Sequence, residues 1–188
     1  ATVTVTGTPT IAELNDIGDA TTGVVTATLA AASLSDLGSL TTASTDAITI
    51  TVNDADDAAV TAANLSTLGG KTAGTVTVTN AVVISGDHDQ LTAALVTAGT
   101  KVSVSDAKVT VSGNPTITQL NNIAAETTGA VTATLAAASL SDLGSLDTAA
   151  TDVITVTVND ADAAAVTAAN LSTLGGKTAG TVTVTNAV

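Results

Sequence analysis

The chain has 188 residues, 45% of them hydrophobic, yet it contains no Phe, Tyr, Trp, Met or Cys, so only Val, Ile, Leu and Ala can fill its core. Four Lys and no Arg face 17 acids, and a net charge of -13 excludes nucleic acid and anionic membrane surfaces as partners, since phosphate binding needs cations. Without Cys there is no disulfide framework and no thiolate zinc site.

Shifting the sequence by 106 places aligns 1–82 with 107–188 without a gap, and 67 of those 82 positions are identical. The block Ala58–Val82 returns unchanged as Ala164–Val188. Such near-identity is the mark of a tandem array. Residues 1–188 thus read as a single array of one complete super-repeat (1–106) and one incomplete one (107–188), about four coils to each complete copy.

In chain order, the strand candidates are Val24–Leu29, Ala47–Val52, Thr75–Thr79, Lys101–Ser105, Ala130–Leu135, Val153–Val158 and Thr181–Thr185. Each alternates an apolar residue with Thr or Ser, the period of a half-buried strand, and β-branched residues suit the pleat. Val3–Gly7, Val82–Ser85 and Lys108–Gly113 read as a second, optional short strand. Helical patterns centre on Leu14, Leu37, Leu65, Leu91, Leu120, Leu143 and Leu171, at spacings of 23, 28, 26, 29, 23 and 28 residues. Apolar residues three or four apart, such as Ile11, Leu14 and Ile17, share one helix face. Thr10 with Glu13, Thr116 with Gln119 and Asp87 with Gln90 have the spacing of capping boxes. Pro9 and Pro115 stand just ahead of helices, and Gly38, Gly69, Gly99 and Gly144 where helices stop.

One strand and one short helix cannot bury their own apolar face, whereas stacked copies can. Strands joined through a helix pair in parallel by right-handed crossovers. The expected fold class is α/β: a right-handed solenoid of about 26-residue strand–(short strand)–short helix coils with one continuous parallel sheet, leucine-rich-repeat-like in layout. Val25, Ile48, Val76, Val102, Val131, Ile154 and Val182 are expected to form one inward column. The sequence lacks an initiator Met and a polar capping coil at either end, which points to a processed chain or a piece of a longer array, or to pieces that join end to end. No apolar run is long enough to span a membrane as a helix.

The phrases TIAELNDIGDATTG, ITITVNDAD and TAANLSTLGGKTAGTVTVTNAV resemble repeats in very large bacterial surface and exported proteins. Such proteins are familiar from marine cyanobacteria and include cell-surface proteins implicated in swimming. The resemblance covers essentially the whole chain. It implies an extracellular or cell-surface structural or adhesive array and carries over no functional residue.

Three features bear on chemistry. Outward strand positions form threonine ladders: Thr26, Thr28, Thr49, Thr51, Thr75, Thr77, Thr132, Thr134, Thr155, Thr157, Thr181 and Thr183, interrupted by Lys101, Ser103 and Ser105. Threonine is a soluble strand former on a solvated face, and flat T-x-T arrays also bind ice. Asp54, Asp56, Asp57, Asp87, Asp89, Asp160 and Asp162 gather oxygens at strand-to-helix turns, as calcium requires, in spacing that matches no EF-hand. Capping explains the same acids, so no cofactor is implied and calcium is the only ion considered. His88, the sole histidine, has no nucleophile or metal partner in the sequence and reads as an exposed loop residue; GGKTAG (Gly69–Gly74) lacks phosphate-loop spacing and reads as a helix stop and turn. Without Arg or aromatics a lyase groove has no substrate-binding groups, so no enzyme is expected. The expected role is a structural segment that forms or extends a filament or surface layer through end-to-end or lateral self-association. The alternative is an adhesive or ice-binding face of Thr.

Overall fold

The computed structural model describes residues 1–162 and 164–186. Its architecture is α/β, with parallel sheets and short helices. In order the elements are β1 (Val3–Thr4), α1 (Ile11–Asp19), β2 (Val25–Thr28), α2 (Leu34–Leu37), β3 (Ala47–Val52), β4 (Ala59–Thr61), α3 (Ala62–Gly69), β5 (Val76–Val78), β6 (Val83–Asp87) and α4 (His88–Leu91). A π-turn (Thr92–Val96) extends α4, and then come β7 (Lys108–Ser112), α5 (Ile117–Ala124), β8 (Val131–Thr134), α6 (Leu140–Leu143), β9 (Val153–Val158), α7 (Ala168–Gly175) and β10 (Val182–Val184). Paired residues lie 21 to 26 positions apart, from Ala27 facing Ile48 to Ile50 facing Val76. A helix stands in each crossover, which is why every pairing is parallel.

The strands fall into two ladders instead of one continuous sheet. One runs β1-β2-β3-β5, and the other β4-β6-β7-β8-β9-β10. The ladders overlap, because the stretch from β3 to β7 contributes strands to both. The Lys101–Ser105 segment is not a strand; only Ser103 bridges to Thr77, at the rim of the first ladder. Its neighbour Lys108–Ser112, read as an optional strand, is β7 and pairs on both sides. Both segments alternate Val with polar residues, and β6 offers five partners to β7 while β5 ends after Val78.

The expected inward column also slips. Val25, Ile48, Val76, Val102, Val131 and Ile154 are all buried, and Val182 is partly so. Yet Ile48 faces Ala27, Ile154 faces Ala133, and Val76 faces Ile50, so the seven residues face inward without forming a single straight row. Each column therefore mixes positions from neighbouring coils.

Leucines from the helices close the core from the other side. Leu14, Leu37, Leu65, Leu91, Leu120 and Leu143 are all inaccessible to solvent. α2 packs on α3, α3 on α4 and its π-turn, and the π-turn on α5. All three expected capping boxes form: Thr10 with Glu13, Asp87 with Gln90 and Thr116 with Gln119. Ser33, Ser139, Thr61 and Thr167 cap α2, α6, α3 and α7 as well. Gly38 and Gly144 do terminate helices, but in right-handed conformation. Gly69 is the last residue of α3, and a Cβ there would lie 2.1 Å from the Thr100 carbonyl oxygen. Close approach of the next coil, not a left-handed turn, accounts for that glycine.

Identical sequence in unlike surroundings supplies a control. Leu65 in α3 is fully buried under α4, whereas Leu171 in α7 is half-buried. Leu65→Ala is expected to cost about 2–5 kcal/mol in urea unfolding, and Leu171→Ala less than half of that.

Candidate functional site

Polar side chains buried in both copies join each strand-and-helix unit to its neighbour. The GGKTAG segment shows how. Lys71 Nζ reaches back to donate to the Gly38 carbonyl at 2.8 Å. Thr72 is buried, and its hydroxyl accepts from the Ile48 and Gly74 N–H groups, both at 2.8 Å, while donating toward the Asp46 carbonyl at 2.8 Å. That exhausts a hydroxyl's one donor and two acceptor sites. Gly74 then passes so close to the preceding strand that a Cβ would sit 2.3 Å from the Ile48 oxygen. The second copy repeats each contact: Lys177 to Gly144 at 2.8 Å, Thr178 to Ile154 and Gly180 at 2.8 Å, and Gly180 within 2.3 Å of the Ile154 oxygen. Lys177 also donates to the Leu146 carbonyl. Thr21 and Thr127 make the same hydroxyl turn toward Gly23 and Gly129 and donate to Ala1 and Ala107 carbonyls. The sequence signal was therefore present as Thr-x-Gly ahead of four strands.

One coil in each copy replaces that threonine by aspartate. Asp46 is 4% exposed and Asp152 3%. Asp46 Oδ1 accepts from the Val25 N–H at 2.8 Å and Oδ2 from Ala43 at 2.9 Å; Asp152 does the same with Val131 and Ala149 at 2.8 Å. Each carboxylate satisfies a backbone donor that the ladder leaves open at the start of β2 or β8. Neither was singled out from the sequence, where T-D-A-I and T-D-V-I read as ordinary turns. Their signal is that Asp stands where other coils have the Thr of Thr-x-Gly.

The seven acids considered for calcium are dispersed among separate tasks. Asp54 and Asp160 accept from the Leu34 and Leu140 N–H groups at 2.7 and 2.8 Å. Asp56 accepts from Ala81 at 3.0 Å, and Asp57 pairs with Lys108 at 2.6 Å. Asp87 caps α4, Asp89 lies 3.5 Å from His88 Nε2, and Asp162 is exposed. Among the described residues no three His or carboxylate side chains gather as a metal-ligating group. His88 opens α4 instead of lying in a loop; its Nδ1 is buried without a hydrogen-bond partner. Shallow grooves of about 290 Å³ between α2 and α3 and about 380 Å³ between α6 and α7 each hold one lysine, Lys71 or Lys177, already bound to backbone carbonyls.

Outward threonines are exposed or half-exposed along both ladders. Thr28 faces Thr49, Thr51 faces Thr77, Thr134 faces Thr155 and Thr157 faces Thr183. Elsewhere the rows are broken: Thr26 faces Ala47, Thr132 faces the exposed Val153, and Thr77 faces Ser103. Thr75 and Thr181 lie just outside β5 and β10, exposed.

One cap carries a titration. The Thr10 N–H, and then its hydroxyl, hold the Glu13 carboxyl below its usual 4.5. A depressed folded-state pKa stabilises above the unfolded value and loses that contribution as pH falls through the folded one. The aligned residue in α5 is the neutral Gln119. Amide exchange in the first turn of α1 is expected to accelerate below pH 4.5 relative to α5, with the difference removed by Glu13→Gln.

No protein-family model matches the chain, nor does any curated protein, nor does any solved structure.

Proposed function

We propose that this chain is a structural, non-enzymatic segment of an extracellular repeat protein, a right-handed α/β solenoid that forms or extends a filament or surface layer. The observation that carries the reading is the duplicated joint. Asp46 with Thr72 and Gly74, and Asp152 with Thr178 and Gly180, make the same backbone contacts at matching distances. What is held constant between the copies is stacking geometry, and the most buried polar side chains serve it. The overlap of the two ladders supports the same reading, since the second begins at β4 before the first has ended. A unit built this way passes its stack to the next without a seam.

Negative-stain electron microscopy of the purified chain tests the assembly reading: elongated filaments or a two-dimensional lattice are expected, and discrete monomers across the accessible concentration range overturn it. The registered threonine pairs favour a second reading, an adhesive or ice-binding outer face. Thermal hysteresis, or retention on a polysaccharide matrix that Thr134→Val/Thr155→Val abolishes, would support it.

A further inference from the structure

The chain contains two related faces that could receive the coil of residues 83–106. One is β7–α5, where that coil sits. The other is β1–α1, whose Val5, Pro9 and Ile17 are half-exposed although the aligned Val111, Pro115 and Ile123 are buried. Near-identical neighbouring repeats invite misassembly and domain swapping. Of the 15 positions at which the copies differ, nine lie in 1–20, and five of those nine change a charge. On the receiving face, Glu13, Asp16 and Asp19 of α1 become Gln119, Asn122 and Ala125, while Thr2 becomes Lys108 and Ala20 becomes Glu126. Glu13 and Asp16 line the groove beside Val5, Pro9 and Ile17. The coil that must choose between the faces carries Asp87 as the cap of α4 and Asp89 within it, and α4 packs against α5.

The gained charges are used. Lys101 of the coil pairs with Glu126 at 2.7 Å, and Lys108 reaches across β6 to Asp57 at 2.6 Å. Among the described residues these are the only pairings of a lysine with a carboxylate. The other two lysines, Lys71 and Lys177, stand at aligned positions and make the duplicated tie to a backbone carbonyl. Asp57 is the only described non-glycine residue with positive φ, at 61°, a conformation asparagine and aspartate tolerate best. Its N–H is fixed on the Ala81 carbonyl at 3.0 Å, which aims the carboxylate outward from the turn toward Lys108.

We infer that these substitutions form an electrostatic selection code for copy order: the 83–106 coil accepts the β7–α5 face through Lys101–Glu126, Asp57 of the coil before it secures Lys108 over β6, and the acidic β1–α1 face of a second chain is rejected. Specificity of this kind combines a new attraction with a repulsion against the competitor. The inference rests on the stacked-coil reading and not on the filament, so monomers in the microscope would leave it standing.

The test is to give the β1–α1 face the charges of its counterpart, with Thr2→Lys, Glu13→Gln, Asp16→Asn, Asp19→Ala and Ala20→Glu together. The variant and the unchanged chain are refolded from urea at low ionic strength and sized by light scattering. The variant is expected to yield at least about threefold more domain-swapped dimer and higher oligomer, because the two faces then carry matching charges. In 1 M salt, where the screening length is about 3 Å, the two chains should converge. Equal oligomer fractions at low salt overturn the inference. Should the five-fold variant fold poorly, exchange of the β7 and α5 amides reads the same junction in a cycle of Lys101→Glu, Glu126→Lys and the two combined. Each single change should accelerate exchange about threefold and the charge-swapped pair should restore it; failure of the pair to restore it, with both singles disturbed, assigns these residues a merely local role and overturns the code.

Discussion

Asp46→Ala is expected to destabilise the fold by about 3 kcal/mol, and Asp152→Ala by the same amount. In each case a carboxylate with under 5% exposure is removed, and two backbone N–H groups are left without acceptors, those of Val25 and Ala43 or of Val131 and Ala149. Hydrogen bonds to an ionised acceptor are the stronger kind, and an orphaned buried donor loses its full desolvation compensation. Asn at either site retains one acceptor, so Asp46→Asn should cost roughly half as much. Asp36→Ala is the comparison: Asp36 is an exposed residue in the first turn of α2, bound to Ser33, and should cost about 1 kcal/mol or less. Urea unfolding followed by far-UV circular dichroism reads all four. Equal costs for Asp46→Ala and Asp36→Ala would mean that the buried carboxylates do not hold the coils together.

Gly74→Ala is the second large effect, expected at about 3 kcal/mol, the upper end of what overpacking costs. The new Cβ would meet the Ile48 carbonyl oxygen at 2.3 Å and carbon at 2.6 Å, and both belong to backbone that cannot rotate away. Strands β3 and β5 would have to separate to admit it, which breaks the bonds that hold Ile50, Thr51 and Val52 opposite Val76, Thr77 and Val78. Gly180→Ala should behave alike. Gly18→Ala provides the opposite sign: nothing lies within 4 Å of its Cβ position, the aligned residue is Ala124, and helix propensity favours alanine by up to about 1 kcal/mol.

Much of the fold was legible because its signals are local. Leucine spacing located the seven α-helices of the described residues, and the capping boxes at Thr10, Asp87 and Thr116 formed as their spacing predicted. Alternation located the strands other than β4, which read as the approach to α3, but could not choose between Lys101–Ser105 and Lys108–Ser112, since both alternate equally well. That choice belongs to the neighbouring coil: β6 runs on to Asp87 and pairs with β7 along its whole length. Two ladders in place of one follow from the same cause, because a coil with two candidate strands can feed two stacks. Register was illegible for a related reason. Coils of unequal length move each inward residue relative to the last, so Ile48 meets Ala27 and not Val25.

The joint was only half legible. Gly69–Gly74 read as a helix stop and turn, which it is, but nothing in its local pattern revealed that Lys71, Thr72 and Gly74 bind the preceding coil. Aspartate before a strand reads as a turn former, and burial of Asp46 depends on Thr72 and Val25 arriving from coils on either side of it. Among the acids weighed as calcium ligands, Asp54 and Asp160 tie the starts of α2 and α6 to the turn after the next strand.

Adding a further 106 residues, a second copy of 83–188, tests stacking most directly. Four more coils at about 4.8 Å per strand should lengthen the particle by roughly 19 Å at constant cross-section. Small-angle X-ray scattering of the 188-residue chain and its extended form measures both quantities. Lengthening by that increment, with an unchanged cross-sectional radius, is the expected result; growth in all dimensions together, as two separate domains or one enlarged globule would show, contradicts it.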